Sequence, residues 1–296
     1  MRTVIIIFLL AFSFVNAQIN RFIYEYQFIP DSTNKVDVFK EVMVLDISSK
    51  QSIYQSLQIV KRDSALKQIA KNDFNELFSL NRRLKRAIVS YQVIKEYPHY
   101  KTFLVDKIYN DTYKIIENEK LNWKIHSEKN KIGNFICQKA TVDFGGRHWI
   151  AWFSELPFQD GPYKFHGLPG LIIKIEDTSK SHIMTMIANN KIQANFESDA
   201  SGGEFITPQG GNFIIKGLGL ADGQLPVIDE SQFKKQWKQY LSDPSRDIRN
   251  MKGFITQDEN GKIISDMREI VRREEERVKL REKQNNNKIE PSLYSN

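Results

Sequence analysis

Apolar and polar positions alternate over much of the N-terminal two thirds of the chain, and this alternation predicts β-strands. Phe22–Phe28 is rich in aromatic and β-branched residues, as strands prefer, and Pro30-Asp31-Ser32 ends it. Glu41–Ile47 and Gln51–Leu57 read as two further strands, joined by the turn-forming Ser48-Ser49-Lys50. Residues 62–87 change period. Leu66, Ile69, Ala70, Phe74, Leu77 and Phe78 recur at helical spacing, with Asp63 or Ser64 as the expected cap. The basic cluster Arg82–Arg86 that follows is expected to be a solvated helix end.

Strand patterning returns from Ile88 to about Ile192. Tyr91–Ile94, Thr102–Val105 and Tyr113–Ile116 are short runs. Leu121, Trp123 and Ile125 alternate with polar neighbours, which predicts a strand with one buried face. Gly133 is expected to turn the chain into Phe135–Val142, and Gly145-Gly146 into Arg147–Phe153. Strand spacings of roughly ten residues predict an antiparallel meander or barrel. Beyond residue 200, Ser201-Gly202-Gly203, Gly210-Gly211 and residues 217–223 read as loops. Asp229 then opens a helix carrying Phe233, Trp237, Tyr240 and Leu241 on one side, stopped by Pro244. Residues 265–283 form a charged helix with few apolar anchors, expected to be exposed or loosely docked. Glu269 with Arg273 and Glu275 with Lys279 are its i,i+4 pairs. The expected fold class is mainly β (α+β): an antiparallel curled sheet or half-barrel bowl with one or more packed helices and a charged C-terminal helix. The expected division is a leader at 1–17, a β-rich domain at 18–225 with a helical insertion at 62–87, a helical extension at 226–283 and a disordered tail at 284–296.

The leader changes the expected compartment. Residues 1–17 place Arg2 before an apolar run from Val4 to Val15, then Val15-Asn16-Ala17 at a cleavage site, which is the pattern of a secretory signal peptide. The mature chain is expected to be periplasmic or extracellular and not membrane-spanning. Export removes nucleic acid as the expected partner of a chain with net charge +7. A glycan, a lipid or another envelope component takes its place. The single cysteine, Cys137, cannot form an internal disulfide and reads as a small buried hydrophobe.

Residues 149–177 read WIAWFSELPFQDGPYKFHGLPGLIIKIED. With Cys137–Ala140 and Gly146–Trp149 upstream, this segment resembles the signature of the GLPGLI family of exported proteins from Bacteroidetes-type bacteria. The resemblance covers roughly residues 20 to 190 and departs from the family at residues 62–87 and in the long tail. It implies a bowl, an antiparallel sheet curling over a helix. It implies no activity, because the family has none established. A similar module precedes the amidase portion of one class of bacterial peptide:N-glycanase; no comparable catalytic region follows residue 190 here.

The motif reads first as structure. Leu168-Pro169-Gly170-Leu171 suits a type II turn with Gly170 at positive φ, and Gly161-Pro162 adds a second bend. Gly161, Pro162, Gly167, Leu168, Pro169 and Gly170 are thus the expected frame of a corner between strands. In the strand that follows, Leu171, Ile173 and Ile175 are expected on one face, with Ile172 and Lys174 on the other. The loop from Glu155 to His166 is where a function would be displayed. Arg147, Trp149, Tyr163, Lys164 and His166 are the candidate ligand-binding residues, since an aromatic set beside a cation suits a sugar or an anionic headgroup. None of the five histidines has HExxH spacing, although His148 and His166 could meet across strands. No GxSxG elbow or phosphate-binding glycine loop occurs. No metal or cofactor is expected. Glu155 and Asp160 could serve a glycosidase, but flanking a turn they read as exposed caps. The expected function is a non-catalytic binding or envelope-interaction module. The alternatives are a carrier of a lipid or hydrophobic ligand in a concave half-barrel and a hydrolase of glycans or peptides.

Overall fold

The computed structural model describes residues 18–68, 79, 83–193, 202–206, 212–216, 225–251, 256–257 and 263–295. The leader lies outside them, as do residues 69–78 of the expected helical insertion, Arg82 of the basic cluster, Gly210-Gly211 and residues 217–223.

The fold is mostly β, a large antiparallel sheet that stays open and carries a few helices. In chain order its strands are β1 (Gln18–Phe28), β2 (Phe39–Ile47), β3 (Gln51–Ser56), β4 (Gln92–Glu96), β5 (Lys101–Ile108), β6 (Asp111–Ile116), β7 (Lys124–Ile132), β8 (Phe135–Phe144), β9 (Arg147–Ser154), β10 (Leu171–Asp177) and β11 (His182–Gln193). Beyond them, β12 (Gly202–Ile206) pairs with β13 (Asn212–Lys216) as a separate hairpin, and β14 (Val227–Asp229) joins the sheet edge. Gly202 and Gly203, expected in a loop, therefore lie in a strand. The twelve strands run in the order β14-β6-β5-β4-β3-β2-β1-β11-β10-β9-β8-β7. Every pairing is antiparallel except β14 with β6. The central position of β1 follows from its pattern, in which Phe22, Tyr24 and Tyr26 are buried in alternation. Register extends that face as a row through Leu45, Tyr54, Val93, Leu104 and Ile115 on five successive neighbours. All five side chains are buried in one core. This is the inner face.

Helices cover it. α1 (Leu57–Gln68) starts directly after β3, with Ser56 Oγ accepting from the Gln58 N–H. Asp63 and Ser64 thus sit inside the helix and do not cap it. α2 (Glu230–Ser242) has the expected start: Asp229 accepts from the Gln232 N–H at 2.8 Å, and the Gln232 side chain accepts from the Asp229 N–H at 3.0 Å. It buries Phe233, Trp237 and Tyr240 against the sheet. A short turn, α3 (Arg246–Arg249), and the pair β15 (Thr256–Gln257) and β16 (Ile263–Ile264) lead to α4 (Met267–Gln284). α4 is docked more firmly than its composition suggests, because Ile270 and Val278 are buried. Glu269 does pair with Arg273, at 2.7 Å, whereas Glu275 accepts from Ser245 in place of Lys279.

The tail after α4 corrects the expectation of disorder. Ile289 and Leu293 enter the main core, and α5 (Pro291–Tyr294) packs on α2 with Tyr294 against Phe233 and Trp237. A tail with few apolar residues is ordered because each one it has meets an aromatic pocket. Leu121–Ile125 also departs from expectation. The strand begins only at Lys124, and Ile125 is exposed, because Trp123 turns inward to donate to the His166 carbonyl at 2.8 Å.

Candidate functional site

The glycine-rich corner lies between β9 and β10. A Cβ on Gly161 would meet Ile172 at 2.7 Å, and one on Gly170 would lie 1.8 Å from the Ser154 carbonyl oxygen. Gly170 is needed for close backbone approach. It does not take the positive φ expected of a type II turn; that conformation belongs to Gly167, at φ 86°, and to Tyr163, at φ 52°. The bend closes where the Phe165 N–H donates to the Pro162 carbonyl at 3.2 Å. Ile172 is buried along with Leu171, Ile173 and Ile175, so both faces of β10 are covered, and its pairing with β9 slips between Ile172 and Lys174.

A buried lysine holds this corner. Lys95, on β4, donates to the carbonyls of Gly161 (2.7 Å), Tyr163 (3.0 Å) and Phe165 (3.2 Å), and pairs with the Asp160 carboxylate. Asp160 also accepts from the Tyr97 hydroxyl at 2.5 Å and from the Gly161 N–H at 2.7 Å. It is therefore buried and internally satisfied, contrary to its expected role as an exposed cap; Glu155 is exposed. Burial pushes the Lys95 amine down, and Asp160 opposes that shift. β4 and β10 lie five strands apart, roughly 24 Å in a flat sheet. Their contact through this loop requires the sheet to curl.

Four of the five candidate ligand residues spend their polar atoms inside the protein. Arg147 pairs with Asp177 at 3.0 Å and donates to Asn287 and to the carbonyls of Lys288 and Ile289. It fastens the tail. Trp149 is fully buried, with its N–H on the Phe144 carbonyl at 3.1 Å and its ring against Phe165. The Tyr163 hydroxyl donates to Glu290 at 2.7 Å. Lys164 donates to Glu117 at 2.6 Å and to Glu290 at 2.7 Å. Burial alone would lower the Lys164 pKa; Glu290 and then Glu117 outweigh it, so the amine is held above its ordinary value. Burial raises the Glu290 pKa. Glu117, Glu230 and Glu290 bring carboxylate oxygens within 4.8 Å of one another. That cluster already holds a cation, the Lys164 ammonium, on two of its members.

His166 differs. It is half-buried, and its ring lies parallel to Tyr100, with centroids 4.7 Å apart and planes at 6°. Burial and then the Lys95 charge push its pKa down to about 4, so the ring is neutral at ordinary pH. His148 does not join it; that exposed ring pairs with Asp143 at 2.7 Å.

Asp160 forms the back of a groove, and His166 stacks on Tyr100, one of its walls. A cleft of about 550 Å³ opens in front of Asp160, with Tyr97, Tyr100, Pro157 and Phe158 as its apolar surfaces. Gln18, Asn20 and Gln159 supply amides, and Ser48 and Ser49 supply hydroxyls. Tyr97 meets Tyr100 edge-on at 4.9 Å, and Phe158 meets Phe22 edge-on at 5.2 Å. The rings are thus braced from behind by the Lys95–Asp160 pair, His166 and the core. Asp160 is the groove's one ionisable carboxylate among the described residues, and its oxygens are occupied. Sequence reasoning reached the loop at 155–166 but missed its aromatic partners. The available signal was Tyr97-Pro98-His99-Tyr100, an aromatic-rich turn between two strands.

No family model matches the chain, and no curated protein matches it. Among solved structures it is similar to PNGF-II in two crystal forms, P21 and C2. Identity is 14% in both, with TM-scores of 0.47 and 0.46 over 74% of this chain. The chain spans about a third of the length of those molecules, 33% and 32% respectively.

Proposed function

We propose that the chain is an exported, non-catalytic binding module of the GLPGLI type that takes a neutral glycan in the groove beside Tyr97 and Tyr100. The segment at 149–177 supports the family, and the leader pattern at 1–17 supports export. The observation that carries the binding reading is the groove's composition. Braced aromatic rings suit the C–H faces of pyranose rings, while side-chain amides and hydroxyls donate to and accept from sugar hydroxyls. The groove presents no free cation or carboxylate among the described residues, so it favours an uncharged sugar over an acidic one.

The two alternatives find less support. A lipid carrier needs a continuous aliphatic hollow, but the middle of the inner face is filled by Tyr24, Met43, Leu45, Tyr54, Phe165 and their neighbours, and the hollow left beside them is lined by tyrosines and charged groups. A hydrolase using Asp160 would need a carboxylate free to take up or release a proton, and here it is committed to Lys95, Tyr97 and Gly161. No helix among the described residues is long and apolar enough to cross a membrane.

A glycan array followed by calorimetric titration of the neutral hits tests the proposal. Binding weakened by Tyr100→Ala and by Gln159→Ala is expected. A folded protein that binds no neutral glycan, or binds equally well after both changes, overturns it.

A further inference from the structure

A second hollow, of about 580 Å³, lies between the inner face of the sheet and the C-terminal segment. Its volume falls within the usual range for small-molecule sites, roughly 300–1,000 Å³. The floor is a closed polar chain: the Tyr26 hydroxyl donates to His182 Nδ1 at 2.7 Å, and His182 Nε2 donates to the Asn287 carbonyl at 3.1 Å. With both ring nitrogens committed this way, His182 is neutral; burial and then the Arg147 charge hold its pKa at about 3. The walls are Tyr91, Tyr109, Trp237 and Tyr294.

Two features of the lining are unmatched within the protein. The first is charge. Lys107, Arg277, Arg281 and Lys288 line the hollow with two carboxylates, Asp106 and Glu282, while Arg277 pairs with Glu274, outside the lining, at 2.6 Å. Both carboxylates are already engaged: Asp106 accepts from the Tyr294 hydroxyl, and Glu282 pairs with Arg281 and Lys288. Lys107 has no ion pair among the described residues. The second is a donor. Trp237 is 95% buried, and its Nε1–H has no hydrogen-bond partner among the described residues. A buried indole N–H left unpaired costs free energy that a ligand's acceptor oxygen would recover.

We propose that this hollow is a second binding site, for a small organic anion with an aromatic or apolar body. The anionic group lies among Lys107 and the α4 cations and accepts from Trp237, while the body packs on the tyrosine walls. The site is independent of the groove at Tyr100, and the C-terminal tail closes it with Asn285, Asn287, Lys288, Ile289 and Tyr294.

Two fluorescent probes that share an aromatic body test this in the mature protein. 8-Anilinonaphthalene-1-sulfonate carries a negative charge, whereas N-phenyl-1-naphthylamine is neutral. One equivalent of the sulfonate probe is expected to bind. Lys107→Gln should weaken it about fivefold or more, with the neutral probe changed less than about twofold. Trp237→Phe, which keeps a ring but removes the donor, should weaken the sulfonate probe as well. Tyr100→Ala should leave both probes unaffected. Salt provides a measurement that needs no variant: rising sodium chloride should weaken the sulfonate probe alone. Equal binding of the two probes, indifference of the sulfonate probe to salt and to Lys107→Gln, or its loss in Tyr100→Ala overturns the proposal.

Discussion

At the corner around residues 160–170, a buried ammonium finds four partners: three carbonyls and a carboxylate. In the hollow beneath α4, an indole N–H equally removed from water finds none, and Lys107 has no ion pair among the described residues. Both regions are rich in aromatic rings and charge, yet one is closed chemically and the other is not. A region whose polar atoms are all satisfied from within has nothing left to offer a ligand, and its charges serve geometry. A region with unmatched donors is where an outside molecule gains most. The groove at Tyr97 and Tyr100 stands between these cases, because its rear is closed by Asp160 and its front is open.

The contrast is broken most severely by removing the corner's cation. Lys95→Met leaves the Asp160 carboxylate buried without its ion partner, which should cost about 3–5 kcal/mol in chemical denaturation. Changing both, Lys95→Met with Asp160→Leu, should recover part of that loss; no recovery would mean the pair is not what closes the corner. Gly170→Ala comes next. Its Cβ would collide with the Ser154 carbonyl, and a loss of about 3 kcal/mol is expected. At Gly167, where a Cβ meets open space, only the strain of a positive φ applies, so alanine there should cost about 1–2 kcal/mol.

Protonation sharpens the comparison further. His166 has its folded pKa held near 4, below the usual value of 6.5. The unfolded chain therefore takes up that proton first as pH falls, and the stability contributed by a neutral His166 is full above 6.5 and lost on the way down to about 4. As pH falls across that window, the wild type should lose stability steadily relative to His166→Phe, a comparison that cancels the other titrating groups. The smallest effect on stability is expected at the open groove. Tyr100→Ala should change it by about 1 kcal/mol, while weakening glycan binding.

Much of the sheet is legible in the sequence because a strand's period shows in a few neighbouring residues. Phe22, Tyr24 and Tyr26 declare their face locally, as does the capping pair Asp229 and Gln232. Long-range partners carry no such local mark. Val93-Ile94-Lys95-Glu96 reads as an ordinary strand ending in charges, and nothing in it says that Lys95 meets a loop 65 residues later. The tail misleads for the same reason: Ile289 and Leu293 are sparse in sequence but land among Phe233, Trp237 and Tyr294. The motif glycines were identified as a corner, but the reason each is glycine depended on contacts with Ile172 and Ser154. Arg147, Tyr163 and Lys164 looked like presented groups because their partners, Asn287 and Glu290, lie more than 120 residues away.

The central claim is that ligands meet the groove while the motif behind it only shapes that groove. Backbone amide shift mapping during titration with a neutral glycan identified on the array addresses both halves at once. The account predicts that the largest changes fall on Asn20, Tyr97, Tyr100 and Gln159, with Trp149, Tyr163 and Lys164 nearly still. Largest changes at Tyr163 and Lys164, with the groove residues unmoved, would contradict it.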